Sequence, residues 1–366
     1  MQIPFLDLKA QMEPIRGEVD AAIADVLDDT AFILGPAVAD FEAEFAAQTG
    51  RKHAVGLNSG TSALHLALVA AGVGPGDEVI TTPHTWISTT WAISYVGATP
   101  VYADVDPATG NLDPAAAEAA ITDGTKALLP VDLYGHPAAL TDFEKIADHH
   151  GIALIEDAAQ SHLATLAGRP TGSFGQSGCF SFYPGKNLGA AGEGGAVVTD
   201  DEAVAHRVRR LRDHAQDGRH HHVEVGYNYR MEGLQGAVLR VKLRHLGAWT
   251  EGRRAAAARY AQLIDFEGVT LPHVAADAEP AWHIYPIRVA DRDTVGPRLK
   301  DAGVATGVHY PTPVHLQPAY EHLGYRRGQF PCAEEYAATC LSLPMYAELT
   351  ADQQAYVAEQ LALAVR

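Results

Sequence analysis

One lysine stands where a reactive amine would be useful, within residues 179–199. An apolar run leads to Lys186, and a glycine-rich turn follows before the strand-like residues 196–198. A lysine at the end of a buried strand, with small residues around it, leaves room for a flat ligand to approach its amine. A phosphate-binding P-loop does not fit, because the gap between Gly178 and Gly185 is longer than that motif allows. In addition, Asn187 stands where the motif requires serine or threonine. The pattern favours a lysine that forms a Schiff base with an aldehyde cofactor.

Two further groups of residues could serve such a cofactor. Asp157 ends an apolar strand candidate, where its carboxylate could hold a pyridine nitrogen in the protonated form or could simply cap a helix. Gly60, Thr61 and Ser62 immediately precede an alanine- and leucine-rich helix. Hydroxyls and free amides at a helix N-terminus can bind a phosphate, although simple capping needs only one of them. From the residues alone, Asp157 could be a cofactor contact or a helix cap, and residues 60–62 could be a phosphate site or a simple cap.

Apolar runs and helical spacers alternate through the first two thirds of the chain. Helices are predicted over residues 15–27 and 38–48 and directly after Ser62. Strands are predicted at residues 78–81, 99–103, 126–131, 152–155 and 194–199. This alternation predicts an α/β fold with a mostly parallel central sheet flanked by helices, in which ligands bind at the carboxyl ends of the strands.

The pattern of predicted elements and the proline content change near residue 246. Two long helices are predicted over residues 239–249 and 252–264, and the chain then becomes richer in proline with shorter elements. A chain of 366 residues exceeds the size at which one core usually stops growing. We therefore predict a large domain over residues 1–245 and a smaller C-terminal α/β domain over residues 246–366.

Composition narrows the classes of protein that remain. A hydrophobic content of 47% with 20% charged residues is typical of a globular protein, and the net charge of −18 disfavours binding to nucleic acid or acidic membranes. No apolar run is long enough to cross a bilayer. Three cysteines without metal-ligand spacing, and no secretory signal, favour the cytoplasm. The adjacent histidines 220–222 predict no metal site, because neighbouring side chains rarely point the same way.

The motif SFYPGKN at residues 181–187, followed by GEGG at residues 192–195, closely resembles the DegT family of sugar aminotransferases. The resemblance extends from residues 5–8 to residues 343–345. It implies the aspartate-aminotransferase fold (fold type I), pyridoxal 5′-phosphate (PLP) as cofactor, and nucleotide-linked keto sugars as substrates.

The resemblance also implies roles for individual residues at the cofactor. Lys186 would be the catalytic residue that binds PLP, and Asp157 would face the pyridine nitrogen. The other expected cofactor contacts are the phosphate-binding residues Gly60, Thr61, Ser62 and Ser181, Gln160 near the ring hydroxyl, and Trp86 stacked on the ring. For Trp86, a place in the ordinary core is the alternative.

Substrate and partner contacts are implied in the same way. Tyr183 and His309 would lie beside the sugar. The segment that follows the basic run 207–222 would reach a neighbouring subunit, with Asn228 at that subunit's cofactor phosphate and Arg230 near its substrate. The expected assembly is a homodimer with shared active sites.

The expected reaction moves an amino group from L-glutamate to a keto group of a dTDP- or UDP-linked sugar. Residues 181–187 and 309–311 resemble the branch that acts on 3-keto sugars, whereas Trp86 and residues 226–230 resemble the 4-keto branch. We favour carbon 3, because the first group surrounds the lysine and the sugar. The alternatives are amination at carbon 4, a PLP-dependent dehydratase, in which histidine replaces the lysine, and a non-catalytic PLP-binding regulator.

Overall fold

Helices and strands alternate along the computed structural model, which describes residues 1–366. The α-helices are α1 Leu8–Met12, α2 Arg16–Asp28, α3 Pro36–Gln48, α4 Gly60–Ala70, α5 Ser88–Tyr95, α6 Pro114–Ala119, α7 Leu140–His150, α8 Glu202–Arg212, α9 Gly233–Leu263, α10 Arg292–Asp301, α11 Pro331–Thr339 and α12 Ala351–Ala364. The strands are β1 His53–Leu57, β2 Glu78–Thr81, β3 Thr99–Tyr102, β4 Thr125–Leu129, β5 Ala153–Asp157, β6 Thr165–Leu166, β7 Arg169–Pro170, β8 Ser177–Ser181, β9 Gly195–Thr199, β10 Ala278–Glu279, β11 Tyr285–Arg288 and β12 Cys340–Leu343. No helix is both long and apolar enough to span a membrane.

Seven strands form the central sheet, in the order β1-β9-β8-β5-β4-β2-β3. The strand β9 runs antiparallel to both of its neighbours, and the pairs from β8 to β3 are parallel. The predicted α/β fold with a mostly parallel sheet is therefore confirmed. The predicted strands agree with the observed ones to within two residues at each end.

Helices cover both faces of this sheet, because successive residues of a strand point to opposite sides. Val197 packs with α4, α5 and α8, whereas the neighbouring Val198 packs with α3 and α9. Further along the sheet, Leu128 packs with α6 and α7. Burial on both faces explains why the strands are continuous apolar runs rather than alternating ones.

A second core lies around the antiparallel pair β11–β12. It contains residues from the C-terminal half of α9 and from α10 and α12, together with Ile3 from the other end of the chain. Ile3 also forms a bridge with Val304. Residue 245, where the domain boundary is predicted, lies inside α9.

The two helices predicted over residues 239–249 and 252–264 are wrong, because α9 is continuous through both. A Cβ atom on Gly252 would lie 2.9 Å from the carbonyl oxygen of Ala347, so this glycine permits a close contact and does not end the helix. Gly247 is exposed and has open space around it. A glycine inside a helix costs about 1 kcal/mol relative to alanine, which the packing of α9 against α2 and α3 outweighs.

Candidate active site

Four strands of the sheet, β2, β4, β5 and β8, point their carboxyl ends at one cavity of about 700 Å³. Of the twelve predicted site residues, nine line its wall: Gly60, Thr61, Trp86, Asp157, Gln160, Ser181, Tyr183, Lys186 and His309. The other three, Ser62, Asn228 and Arg230, do not. The position of the cavity is the one that a parallel sheet provides for ligands.

Lys186 lies in the turn that follows β8. Its backbone N–H donates to the carbonyl oxygen of Tyr183 over 2.8 Å, and the side-chain amide of Asn187 donates to the carbonyl oxygen of Ala281 over 2.9 Å. Burial lowers the pKa of the Lys186 amine to about 8, and the nearby carboxylate of Asp157 opposes that shift. More of this amine is neutral at pH 7 than in an ordinary lysine, and the neutral form is the one that acts as nucleophile or base.

Asp157 is buried at the end of β5 and faces the same cavity. The Thr89 hydroxyl donates to its Oδ2 atom over 2.9 Å, and the Ala159 N–H donates to its Oδ1 atom over 3.2 Å. Burial raises the pKa of the carboxyl, whereas these two hydrogen bonds and the charge of Lys186 lower it. No α-helix begins directly after Asp157, where the chain forms turns, so the alternative that it is a helix cap is wrong.

The N-terminus of α4 points its free amides into the cavity. Ser59 caps this helix by accepting the N–H of Ser62 over 3.1 Å. A Cβ atom on Gly60 would lie 2.6 Å from the Cβ atom of Ser181, so glycine is what allows α4 to approach β8 this closely. Capping by Ser59 leaves the first amides of α4 available to an anion, since the first N–H groups of a helix have no acceptor within the helix and carry the positive end of its dipole. The hydroxyl of Ser62 turns away and donates to Asn58 over 2.7 Å.

Two aromatic side chains lie on the outer part of the wall, and one histidine lies deeper. Trp86 and Tyr183 are each 55% exposed, which excludes an ordinary core position for Trp86. The indole of Trp86 lies 5.4 Å from the ring of Tyr310 at an angle of 45°. His309 stacks on Phe5, and burial lowers its pKa to about 4, so its ring is neutral at pH 7.

Asn228 and Arg230 lie away from the cavity of their own chain. The Arg230 guanidinium donates to Asp213 over 2.8 Å and to the side-chain oxygen of Asn228 over 2.7 Å. The side chain of Asn228 is exposed. Neither residue can therefore contribute to this cavity from its observed position.

Three residues on the cavity wall, Thr89, Tyr310 and His283, make contacts at the site that the sequence did not predict. Thr89 bonds Asp157, as described above, and the Gln160 amide donates to the Tyr310 hydroxyl over 3.2 Å. His283 lies with its Nδ1 atom 3.3 Å from the side-chain oxygen of Asn187. Gln160 itself lies in the turn that follows β5. No short-range spacing marks these residues, because each partner comes from a distant part of the chain.

Comparison with known proteins identifies the family. The model of the DegT/DnrJ/EryC1/StrS aminotransferase family matches residues 14–362. The chain belongs to this family. It is 48% identical over 345 residues to a dTDP-3-amino-3,4,6-trideoxy-α-D-glucose transaminase of Streptomyces venezuelae, which covers 94% of this chain and 91% of that protein.

Solved structures of family members agree in fold. DesV from S. venezuelae matches with a TM-score of 0.98 and 46% identity, over 100% of this chain and 99% of that one. NtdA from Bacillus subtilis, solved with bound pyridoxamine phosphate, matches with a TM-score of 0.92 and 29% identity, over 100% and 85% of the two chains. The resemblance inferred from residues 181–187 is thus confirmed.

The cavity wall fits a phosphorylated pyridine aldehyde. The free amides at the N-terminus of α4 and the Ser181 hydroxyl suit a phosphate, and Gly60 lets α4 approach β8 closely enough to bring them together. A partly neutral amine on Lys186 suits an aldehyde, and the carboxylate of Asp157 suits a protonated ring nitrogen. All these groups face the same cavity.

Proposed function

We propose that this protein is a PLP-dependent aminotransferase that moves the amino group of L-glutamate to carbon 3 of a keto sugar linked to dTDP or UDP. The observation that carries the proposal is that Lys186, in the turn after β8, and Asp157, at the end of β5, face one cavity with the N-terminus of α4. An amine, a carboxylate and an anion site in this arrangement match the three polar ends of PLP. The products are 2-oxoglutarate and the amino sugar.

PLP, when bound, supplies an aldehyde and an electron-withdrawing ring that stabilises negative charge at the reacting carbon. Lys186 moves the protons. Its neutral Nζ accepts the proton from the α-carbon of glutamate, and in the second half of the cycle it donates a proton to the sugar carbon that receives the amine. The lowered pKa of Lys186 suits both directions of transfer near neutral pH.

Asp157 would hold the pyridine nitrogen in its protonated form, and the hydrogen bond from Thr89 opposes the effect of burial on the pKa of this carboxyl and so favours its ionised form. The amides of Gly60 and Thr61, with the Ser181 hydroxyl, would bind the phosphate. Trp86 would stack on the ring, and Gln160 would lie beside the ring hydroxyl.

The proposal that carbon 3 receives the amine rests on the residues of the cavity wall that would contact the sugar. Tyr183 and His309 both line the cavity with Lys186, and the motifs that contain them resemble the 3-keto branch. The S. venezuelae relative is named for a 3-amino product, which supports the same choice. His309 has a neutral ring whose Nδ1 atom lies 2.9 Å from the Ser342 hydroxyl, so the ring is held in one orientation beside the sugar.

The active unit that we propose is a homodimer in the cytoplasm. Asn228 and Arg230 lie outside their own cavity, which fits a role at the active site of a second copy. The three cysteines form no disulfide, which fits a reducing compartment.

The direct test adds L-glutamate to the purified holoenzyme. An aminotransferase should lose the visible absorbance of bound PLP and release one equivalent of 2-oxoglutarate without any sugar present. A non-catalytic regulator should release none, and a dehydratase should leave no nitrogen in its sugar product. Absence of 2-oxoglutarate from protein with full PLP occupancy would reject the proposal.

A further inference from the structure

Tyr134 lies just behind the cavity in a strained turn that follows β4. It is buried and has a φ of +64°, a conformation that bulky residues rarely adopt. Its backbone holds two sides of the site, because its N–H donates to the side-chain oxygen of Gln160 over 2.6 Å and its carbonyl oxygen accepts the N–H of Ile284 over 3.2 Å. Both Gln160 and Ile284 line the cavity, whereas Tyr134 does not.

The hydroxyl of Tyr134 holds a third part of the wall. It donates to the carbonyl oxygen of His309, and it therefore accepts from His84, whose Nε2 atom lies 2.8 Å away. Burial lowers the pKa of His84 to about 4, so at pH 7 its ring carries one proton, which this contact places on Nε2. The other ring nitrogen of His84 is buried without a partner, as an unprotonated Nδ1 would be.

Together these hydrogen bonds connect Gln160, on one side of the cavity wall, to residues 309–310 on the other. Because the Gln160 side-chain oxygen accepts from Tyr134, its amide nitrogen is the atom that donates to the Tyr310 hydroxyl over 3.2 Å. Tyr310 follows His309 directly, and both line the cavity. One buried tyrosine thus fixes Gln160 through its peptide group and the segment 309–310 through its hydroxyl.

We propose that Tyr134 is a positioning residue that keeps the sugar-facing segment 309–310 in register with the cofactor-facing Gln160. The inference rests on the proposed function, in which His309 contacts the sugar and Gln160 the cofactor. Removing the hydroxyl alone leaves the peptide contact with Gln160 in place. It removes one of the hydrogen bonds that hold segment 309–310, so it weakens sugar binding and spares PLP binding and the reaction with glutamate.

The test compares Tyr134→Phe with Tyr356→Phe in the holoenzyme. The control removes a similar bond, since the Tyr356 hydroxyl donates to the carbonyl oxygen of Ala302 over 3.0 Å in a region remote from the cavity. Three quantities are measured for each variant: amide hydrogen exchange of the peptide that covers residues 305–313, PLP affinity with the rate of the glutamate half-reaction, and KM and kcat for the keto nucleotide sugar.

For Tyr134→Phe we expect faster exchange at residues 305–313 and a KM for the sugar raised about five- to tenfold, the usual effect of one lost hydrogen bond. PLP affinity, the glutamate half-reaction and kcat should stay within about twofold of wild type. The control should change none of these quantities. Exchange at wild-type rates in Tyr134→Phe, or an equal loss in both half-reactions, would overturn the proposal.

A second variant covers the case in which Tyr134→Phe does not fold. His84→Leu removes the donor that orients the Tyr134 hydroxyl. We expect the exchange at residues 305–313 and the KM for the sugar to rise as in Tyr134→Phe, by about half as much. The exchange measurement needs no substrate, so it decides the role of Tyr134 even if wild type aminates no keto sugar. If wild type aminates no keto sugar, the proposed function is refuted, but the positioning role of Tyr134 is not.

Discussion

The hydroxyl of Thr89 donates a hydrogen bond to the carboxylate of Asp157 over 2.9 Å, across 68 positions of sequence. Thr89 lies in the first turn of α5, and Asp157 ends β5. Burial by itself favours the neutral form of this carboxyl, and Thr89 acts against it. The charge that a protonated pyridine nitrogen requires therefore depends on a residue that need not touch the cofactor.

The first prediction concerns Thr89→Val, which keeps the shape of the side chain and removes its donor. The pKa of Asp157 should rise further, so the carboxyl becomes protonated at a higher pH than in wild type. We expect the acid limb of kcat/KM to move to higher pH, with a loss of about tenfold within that limb and none above it. Asp157→Asn, in contrast, should lose about 10- to 1,000-fold at every pH. Identical pH profiles for wild type and Thr89→Val would contradict this role.

The amine of Lys186 supplies the second prediction. Covalent capture of PLP by the apoprotein should accelerate as the pH rises through about 8, because the neutral amine is the nucleophile. Lys186→Ala should fold, bind PLP without a covalent link and show no turnover. Stopped-flow absorbance over a pH series measures the capture rate. A rate independent of pH, or normal turnover in the alanine variant, would disprove the assignment.

The close approach of α4 to β8 gives the third prediction. Gly60→Ala places a methyl group 2.6 Å from the Cβ atom of Ser181, so α4 must move away from β8 and its amides must separate from the Ser181 hydroxyl. Overpacking of this kind costs about 1–3 kcal/mol, so we expect PLP affinity to fall about tenfold or more. Gly247→Ala, in open space on α9, is the matched control and should not alter affinity. Fluorescence titration measures the dissociation constant for PLP. Equal values for Gly60→Ala and wild type would contradict the proposal that the N-terminus of α4 binds the phosphate.

The sequence was sufficient to predict that certain residues would meet at one cavity, where their position depends on local order. Lys186 and Asp157 each follow a short apolar run, and the carboxyl ends of such strands in a parallel sheet meet at one edge. Gly60 and Thr61 open a helix of alanine and leucine, a pattern that periodicity reveals. The order of elements and the mostly parallel sheet followed from the same alternation.

The contacts that tune these residues could not be predicted in this way. Thr89 meets Asp157, and Tyr134 meets His309, only after β2, β4 and β5 have assembled, and no spacing rule joins positions so far apart. The continuity of α9 was missed for a related reason. Local propensity allowed a break near residue 250, and tertiary packing overrode it.

Shared active sites give the fourth prediction. Lys186→Ala and Arg230→Ala should each be inactive as pure dimers, for different reasons. After the two are mixed, a hybrid dimer contains one site with both Lys186 and the partner's Arg230 intact, so part of the activity should return. Mixing two preparations of Lys186→Ala is the control and should restore none. If mass spectrometry shows hybrid dimers and the mixture stays inactive, each site is built from one chain.

The position of the new amine tests the central claim most directly. The holoenzyme is given ¹⁵N-labelled L-glutamate with an equimolar mixture of 3-keto and 4-keto nucleotide sugars, and NMR then locates the label in the product. Tyr183 and His309, which share the cavity wall with Lys186, would present carbon 3 to the amine. We predict the ¹⁵N label on carbon 3, and a product labelled on carbon 4 would contradict the account.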